Sequence, residues 1–182
     1  MLKHIWRGVF LLPVALAMFA APAYAAGPGP SSPRQIFARD ECDPVTFNQA
    51  LGPGACARSG SGVKFPQFIS ELTRLQRVPE WRFTPDKVEL HTGQPFIATN
   101  AGGETHTFTE VARFGSGFVP QLNQLAGNLS PRPECSPTNP ELNLIRPGQS
   151  TAPETEDAGV HLYQCCIHPC MHAVLRVRSS GR

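Results

Sequence analysis

Tyr163-Gln164-Cys165-Cys166-Ile167-His168-Pro169-Cys170-Met171-His172 is the stretch on which the reading of this 182-residue chain turns. It sets a thiol, an imidazole and a thioether at three-residue steps, as Cys165, His168 and Met171. Side chains alternate across a strand, so Tyr163 and Cys165 share one face and Gln164 and Cys166 the other. With Tyr163 toward the core, Cys165 points inward and Cys166 outward. A loop that turns after Cys166 brings His168 and Met171 back to the same point. Far upstream, His106 lies in Thr105-His106-Thr107-Phe108-Thr109, where His106 and Phe108 alternate with threonines as a strand would.

The flanking sequence supports an all-β fold. From Trp81 onward the period is two: Val88 and Leu90 face one way, and Phe96, Ala98 and Asn100 form the next alternating set. Thr92-Gly93-Gln94 and Ala101-Gly102-Gly103 read as turns. Leu142–Ile145 and Ser150–Ala152 read as short strands around Pro147-Gly148. Val160–Cys165 and then Ala173, Leu175 and Val177 give the last two strands. This strand-turn-strand spacing suits a Greek-key β-sandwich. Between them, Phe114–Glu141 is a long loop rich in Gly, Pro, Asn and Ser. A loop of that length is either functional or pinned, and Cys135 offers the pin.

Residues 26–80 read as an N-terminal extension to a domain at 81–178, with a tail at 179–182. In the extension, Cys42 and Cys56 bracket a short polar loop, for which a local disulfide is the simplest reading. One short helix follows from Phe65, with Pro66 in its first turn and Phe68, Ile69, Leu72 and Leu75 on one stripe. Residues 1–25 carry the marks of a secretory signal peptide: Lys3 and Arg7, an apolar run from Gly8 to Ala21, and Ala23-Tyr24-Ala25, with cleavage expected after Ala25. The run is short and broken by Pro13, which argues against a retained anchor. Export to the periplasm or the medium is the expectation.

Without Lys3 and Arg7 the chain holds fourteen basic and fourteen acidic residues. That balance offers nothing to nucleic acid or to an anionic membrane surface, and no stable membrane insertion is expected. All six cysteines lie beyond the leader. In an oxidising compartment most should be disulfides, so a free thiol needs a reason. Cys166, facing outward, is the candidate partner of Cys135, which leaves Cys170 as an unassigned thiol.

The donor set speaks to chemistry. Thiolate and thioether are soft ligands suited to Cu(I), while imidazoles also hold Cu(II). One Cys, two His and a weak Met make a blue-copper electron-transfer set, with one copper ion per chain. Other readings stay open. Cys165 and Cys166 both in disulfides would leave a metal-free sandwich. A zinc site of Cys165, Cys166, Cys170 and His168 would leave Met171 and His106 unexplained. A binuclear copper centre needs a His where Val174 stands, and a trinuclear cluster needs one where Phe108 stands. No catalytic triad or phosphate loop is found, so no catalytic residue is assigned and the chain reads as a carrier rather than an enzyme.

Phe83-Thr84-Pro85, Gly93, Asn100, His106 and the terminal Tyr-x-Cys-x-x-His-x-x-Met together resemble the cupredoxins, the small blue-copper family, with an amicyanin-like short ligand loop. Glu104–Val111 with Tyr163–Pro169 is also similar to exported bacterial cupredoxin-like proteins. The resemblance covers Trp81 to Val177. It implies copper bound by His106, Cys165, His168 and Met171, with His168 near the surface as the electron exit and Pro169 in a docking patch. Asn100 and Thr107 are the candidates for orienting the imidazoles. The implied partner is a redox protein such as a cytochrome or an oxidoreductase. The alternative is a periplasmic copper carrier or buffer that hands Cu(I) to an acceptor, using Cys170, Met171 and His172 in an exposed loop. Cys166, Cys170, the long central loop and the extension depart from the family pattern.

Overall fold

The computed structural model of the chain describes residues 32–179. The expected signal peptide, its cleavage after Ala25 and the last three residues lie outside that range. Strand β1 (Arg34–Arg39) is followed by helices α1 (Pro44–Leu51) and α2 (Phe65–Leu75), then by β2 (Arg82–Thr84), β3 (Lys87–His91) and β4 (Phe96–Asn100). Next come β5 (His106–Thr107), β6 (Thr109–Glu110), helix α3 (Pro120–Leu125) and a 3-10 turn at Pro133–Cys135. Strands β7 (Leu144–Ile145), β8 (Gly159–Gln164) and β9 (His172–Arg178) complete the order.

The sheets run β2-β1-β4 and β3-β9-β8-β6, with β5 and β7 as a separate pair. Their inward residues share one core. Ile36, Ala38, Phe83, Phe96 and Ala98 come from the first sheet, and Val88, Leu90, Tyr163, Ala173, Leu175 and Val177 from the second. Phe96 meets Tyr163 edge-on at 5.7 Å, and Tyr163 stacks on Phe108 at 4.3 Å. The alternations at Val88/Leu90 and Phe96/Ala98/Asn100 are the buried ones. Ser150 and Glu154 bridge to Thr99 and Phe96, so this segment follows the edge of β4.

Three features correct the expected fold. The chain is not purely all-β, because three helices stand among the described residues. The segment before residue 81 holds two helices rather than one. Helix α1 forms because Asp43 caps it, accepting from the Thr46 N–H at 2.8 Å and from its hydroxyl, with Pro44 in the first turn. That segment also supplies β1, which lies between β2 and β4, antiparallel to one and parallel to the other. Finally, the strand around His106 does not keep one face. It breaks at Phe108: β5 pairs with β7 and β6 pairs with β8. His106, Thr107, Phe108 and Thr109 are all buried, because both sides of the segment are covered.

The expected disulfides are both formed, Cys42–Cys56 and Cys135–Cys166. Cys135 and Cys166 sit with Val111 in a second, smaller core that also gathers Phe114, Phe118, Leu142 and Leu162. The long central loop is thus pinned to the outer face of β8. No helix among the described residues is long and apolar enough to cross a membrane.

The helices belong to the main core. Phe47 of α1 is fully buried, with Phe65, Phe68 and Trp81 around its ring at 5.2, 5.6 and 5.7 Å. Truncating a buried aromatic removes both transfer energy and packing. Phe47→Ala is therefore expected to lower unfolding stability by about 3 kcal/mol, read as a drop in the urea midpoint. An unchanged midpoint would mean that α1 is an appended arm.

Candidate metal centre

The two cysteines at the end of β8 have different fates. Cys166 turns outward into its disulfide, while Cys165 is a free, fully buried thiol in the main core. The Cys165 Sγ faces His106 Nδ1 at 3.7 Å and His168 Nδ1 at 3.9 Å. One donor atom from each of these three residues lies within 4.8 Å of the others. His106 is 0 % exposed and His168 3 %. β5 carries His106, and the turn between β8 and β9 carries His168.

That turn closes on itself. The Cys165 N–H donates to the Met171 carbonyl at 3.1 Å, and the Met171 N–H donates to the His168 carbonyl at 3.0 Å. The backbone N–H groups of Thr107 and His168 both point at the Cys165 sulfur, each at 3.4 Å. Met171 is fully buried in the same core. Three of the four expected residues, His106, Cys165 and His168, converge, and Met171 stands on the same turn as His168.

Each imidazole is held from behind by a carboxylate that the sequence did not single out. Asp40 Oδ2, just past β1, lies 2.8 Å from His106 Nε2, with both side chains at 0 % exposure. The same carboxylate accepts the N–H groups of Cys42, Gly103 and Glu104. The Gly102-Gly103 turn makes this possible, since a Cβ at Gly102 would collide with the Asp40 carboxylate. Glu104 Oε2 faces His168 Nε2 at 3.3 Å and accepts the Trp81 indole N–H at 2.7 Å. Engaging both Nε2 atoms in this way fixes the ring orientations and leaves both Nδ1 atoms toward the sulfur.

The electrostatics follow from this packing. Burial works against the Asp40 charge, but the His106 imidazole and the surrounding N–H groups outweigh it and hold the carboxyl far below its usual range. Burial likewise opposes a Cys165 thiolate, yet the flanking His106 and His168 imidazoles pull the thiol well below its ordinary value. In turn His106 is raised against burial by Asp40 and Cys165, and His168 by Glu104 and Cys165. The Cys165 sulfur and the two oriented imidazoles thus favour one another's charged forms against the cost of burial.

The remaining expected residues are also placed. Among the described residues Asn100 makes no hydrogen bond to the imidazoles. Its amide donates to the carbonyls of Glu104 and Ile145 at 2.7 and 2.8 Å, so it fixes the loop that carries Glu104. The Thr107 hydroxyl accepts the Cys166 N–H at 2.7 Å, pinning the backbone beside the thiol. His168 does not sit near the surface as expected. The Phe68 ring of α2 packs on it edge-on at 6.3 Å, and it lines the floor of an apolar pocket of about 380 Å³ with Phe65, Leu122 and Ile167. Cys170 stays free but half-buried, in a cleft with Val78 and Trp81, and burial pushes its thiol up. His172 stacks on Phe114 at 3.9 Å instead of standing in solvent. On the outer face, Glu110, Glu156 and His161 also converge, but there the imidazole already bonds Glu110 at 2.7 Å and the Asp157 carbonyl at 3.0 Å.

No family profile matches this chain, and no curated protein does either. Among solved structures it is similar to a purple cupredoxin from Nitrosopumilus maritimus, at 16% identity and a TM-score of 0.40 over 80% of this chain and 99% of that one. It is also similar to reduced and oxidised point variants of amicyanin, at 15% and 14% identity and TM-scores of 0.37 and 0.36. These cover 56% and 53% of this chain and 77% and 73% of the other.

Asp40→Asn tests the buried pair in the metal-free protein. A carboxyl whose folded pKa is depressed contributes stability above its unfolded value, and that contribution is lost as pH falls toward the folded value. Breaking the pair is expected to cost about 3 kcal/mol at pH 7. The gap between wild type and variant, read by urea unfolding, should shrink below about pH 4. A gap that does not vary with pH would remove Asp40 from the account.

Proposed function

We propose that this chain is an exported mononuclear type-1 copper protein that carries single electrons, with His106, Cys165, His168 and Met171 as ligands. The observation that carries the reading is the free Cys165 thiol, fully buried and flanked by two imidazole Nδ1 atoms. Four cysteines of this chain are paired. A fully buried thiol left reduced beside two imidazoles fits ligation better than packing.

The donor set also fits the metal. A thiolate and two imidazoles suit both copper oxidation states, and a thioether is the usual weak fourth ligand. Copper held there would supply a one-electron Cu(I)/Cu(II) couple. The chain's part is to keep the ligands in place. Asp40 and Glu104 lock the imidazole rings, the Thr107 and His168 N–H groups steady the sulfur, and the closed turn ties His168 and Met171 to Cys165. A cage fixed in this way has little to rearrange when the charge changes, which favours electron transfer over metal release.

Export rests on the leader at residues 1–25 and agrees with the two disulfides, which persist in oxidising compartments. The partner is then a redox protein of that compartment, such as a cytochrome or an oxidoreductase. The carrier reading needs Cys170 and His172 in an open capture loop, and both are instead partly buried. Oxidative copper loading of the mature protein is expected to give one copper per chain and an intense blue thiolate-to-copper absorption. Cys165→Ser should abolish that colour and Cys170→Ser should keep it. Colour that survives the first change, or uptake without any colour, would overturn the assignment.

A further inference from the structure

Both imidazoles that face the Cys165 sulfur have a carboxylate at the far nitrogen, where a neutral carbonyl would fix the ring equally well. Asp40 meets His106 at 2.8 Å and Glu104 meets His168 at 3.3 Å. Asp40 comes from the end of β1 and Glu104 from the turn before β5, so two separate segments place negative charge on one buried centre. Among the described residues the Asp40 carboxylate is hydrogen-bonded by N–H groups and by the His106 ring. Among the described residues no Lys or Arg pairs with either carboxylate; Arg58, whose side chain passes Gly103, pairs with neither.

Resting on the copper reading above, we propose that Asp40 and Glu104 are positioning residues whose charge biases the site toward Cu(II) and gives it a low reduction potential. The charge count shows why. One thiolate and two carboxylates bring three negative charges; with Cu(II) the cluster carries one net negative charge, and with Cu(I) two. In a dry, low-dielectric setting each added like charge is far more costly than in water, so the cluster resists the incoming electron. The same two charges that orient the rings therefore make the reduced protein a ready electron donor.

Glu104→Gln isolates the charge from the geometry. Glu104 Oε2 faces both Trp81 Nε1 and His168 Nε2, while its Oε1 makes no hydrogen bond among the described residues. A glutamine can therefore keep an oxygen at the shared position and turn its amide nitrogen to the open one. The copper-loaded wild type and E104Q are compared by spectroelectrochemical titration, with W81F as the control that removes the indole donor but no charge. E104Q is expected to raise the potential by at least about 59 mV, which is tenfold in the ratio of Cu(I) to Cu(II) affinity for one electron. W81F should not reproduce that rise. If E104Q keeps its colour but not its shift, or W81F matches it, the charge proposal falls while the copper site stands. If E104Q no longer holds Cu(II), competition with a Cu(I) chelator decides: retained Cu(I) supports the proposal, and loss of both ions overturns it. A wild type that takes up no copper would instead remove the functional reading beneath it.

Discussion

Adjacent cysteines on an extended segment meet different surroundings, because neighbouring side chains leave opposite faces of the backbone. The rest of this structure depends on that constraint. Cys166 is carried outward to Cys135, where the bond fastens the long central loop over a small second core of Val111, Phe114 and Leu142. Cys165 is carried inward and stays a free thiol in the main core with Tyr163, Phe108 and Met171. The Cys135–Cys166 disulfide pins the loop to the segment that carries Cys165.

A thiolate in a dry core is costly unless it is paired and hydrogen-bonded. Its partners come from well-separated segments. Two backbone N–H groups and two imidazoles surround the sulfur, and each imidazole needs an acceptor of its own. Asp40 meets one of those needs, and this explains why β1 lies inside a sheet between β2 and β4 rather than trailing as an arm. Helix α2 adds an apolar neighbour, since the Phe68 ring packs edge-on to His168 at 6.3 Å.

Much of the centre was legible in the sequence. Ligand spacing within one turn is local, so Cys165, His168 and Met171 announce themselves, and His106 stands out on an alternating segment. The two disulfides follow from the short polar loop and from which way Cys166 faces. Asp40 and Glu104 were not legible. A lone carboxylate that meets a histidine 66 residues away leaves no period and no spacing; the Gly102-Gly103 pair was a trace of close approach, read only as a turn. The burial of His168 was hidden for the same reason, because an amphipathic stripe shows that a helix docks and not where. The broken strand at Phe108 escaped because Thr107 and Thr109, buried here, alternate with His106 and Phe108 just as the open face of a half-exposed strand would.

The most direct measurement is X-ray absorption at the copper edge of the loaded protein. A shell of one short sulfur and two imidazole nitrogens around a single copper ion is expected. Two or more short sulfurs, which would bring in Cys170, or a shell with no sulfur at all, would contradict it.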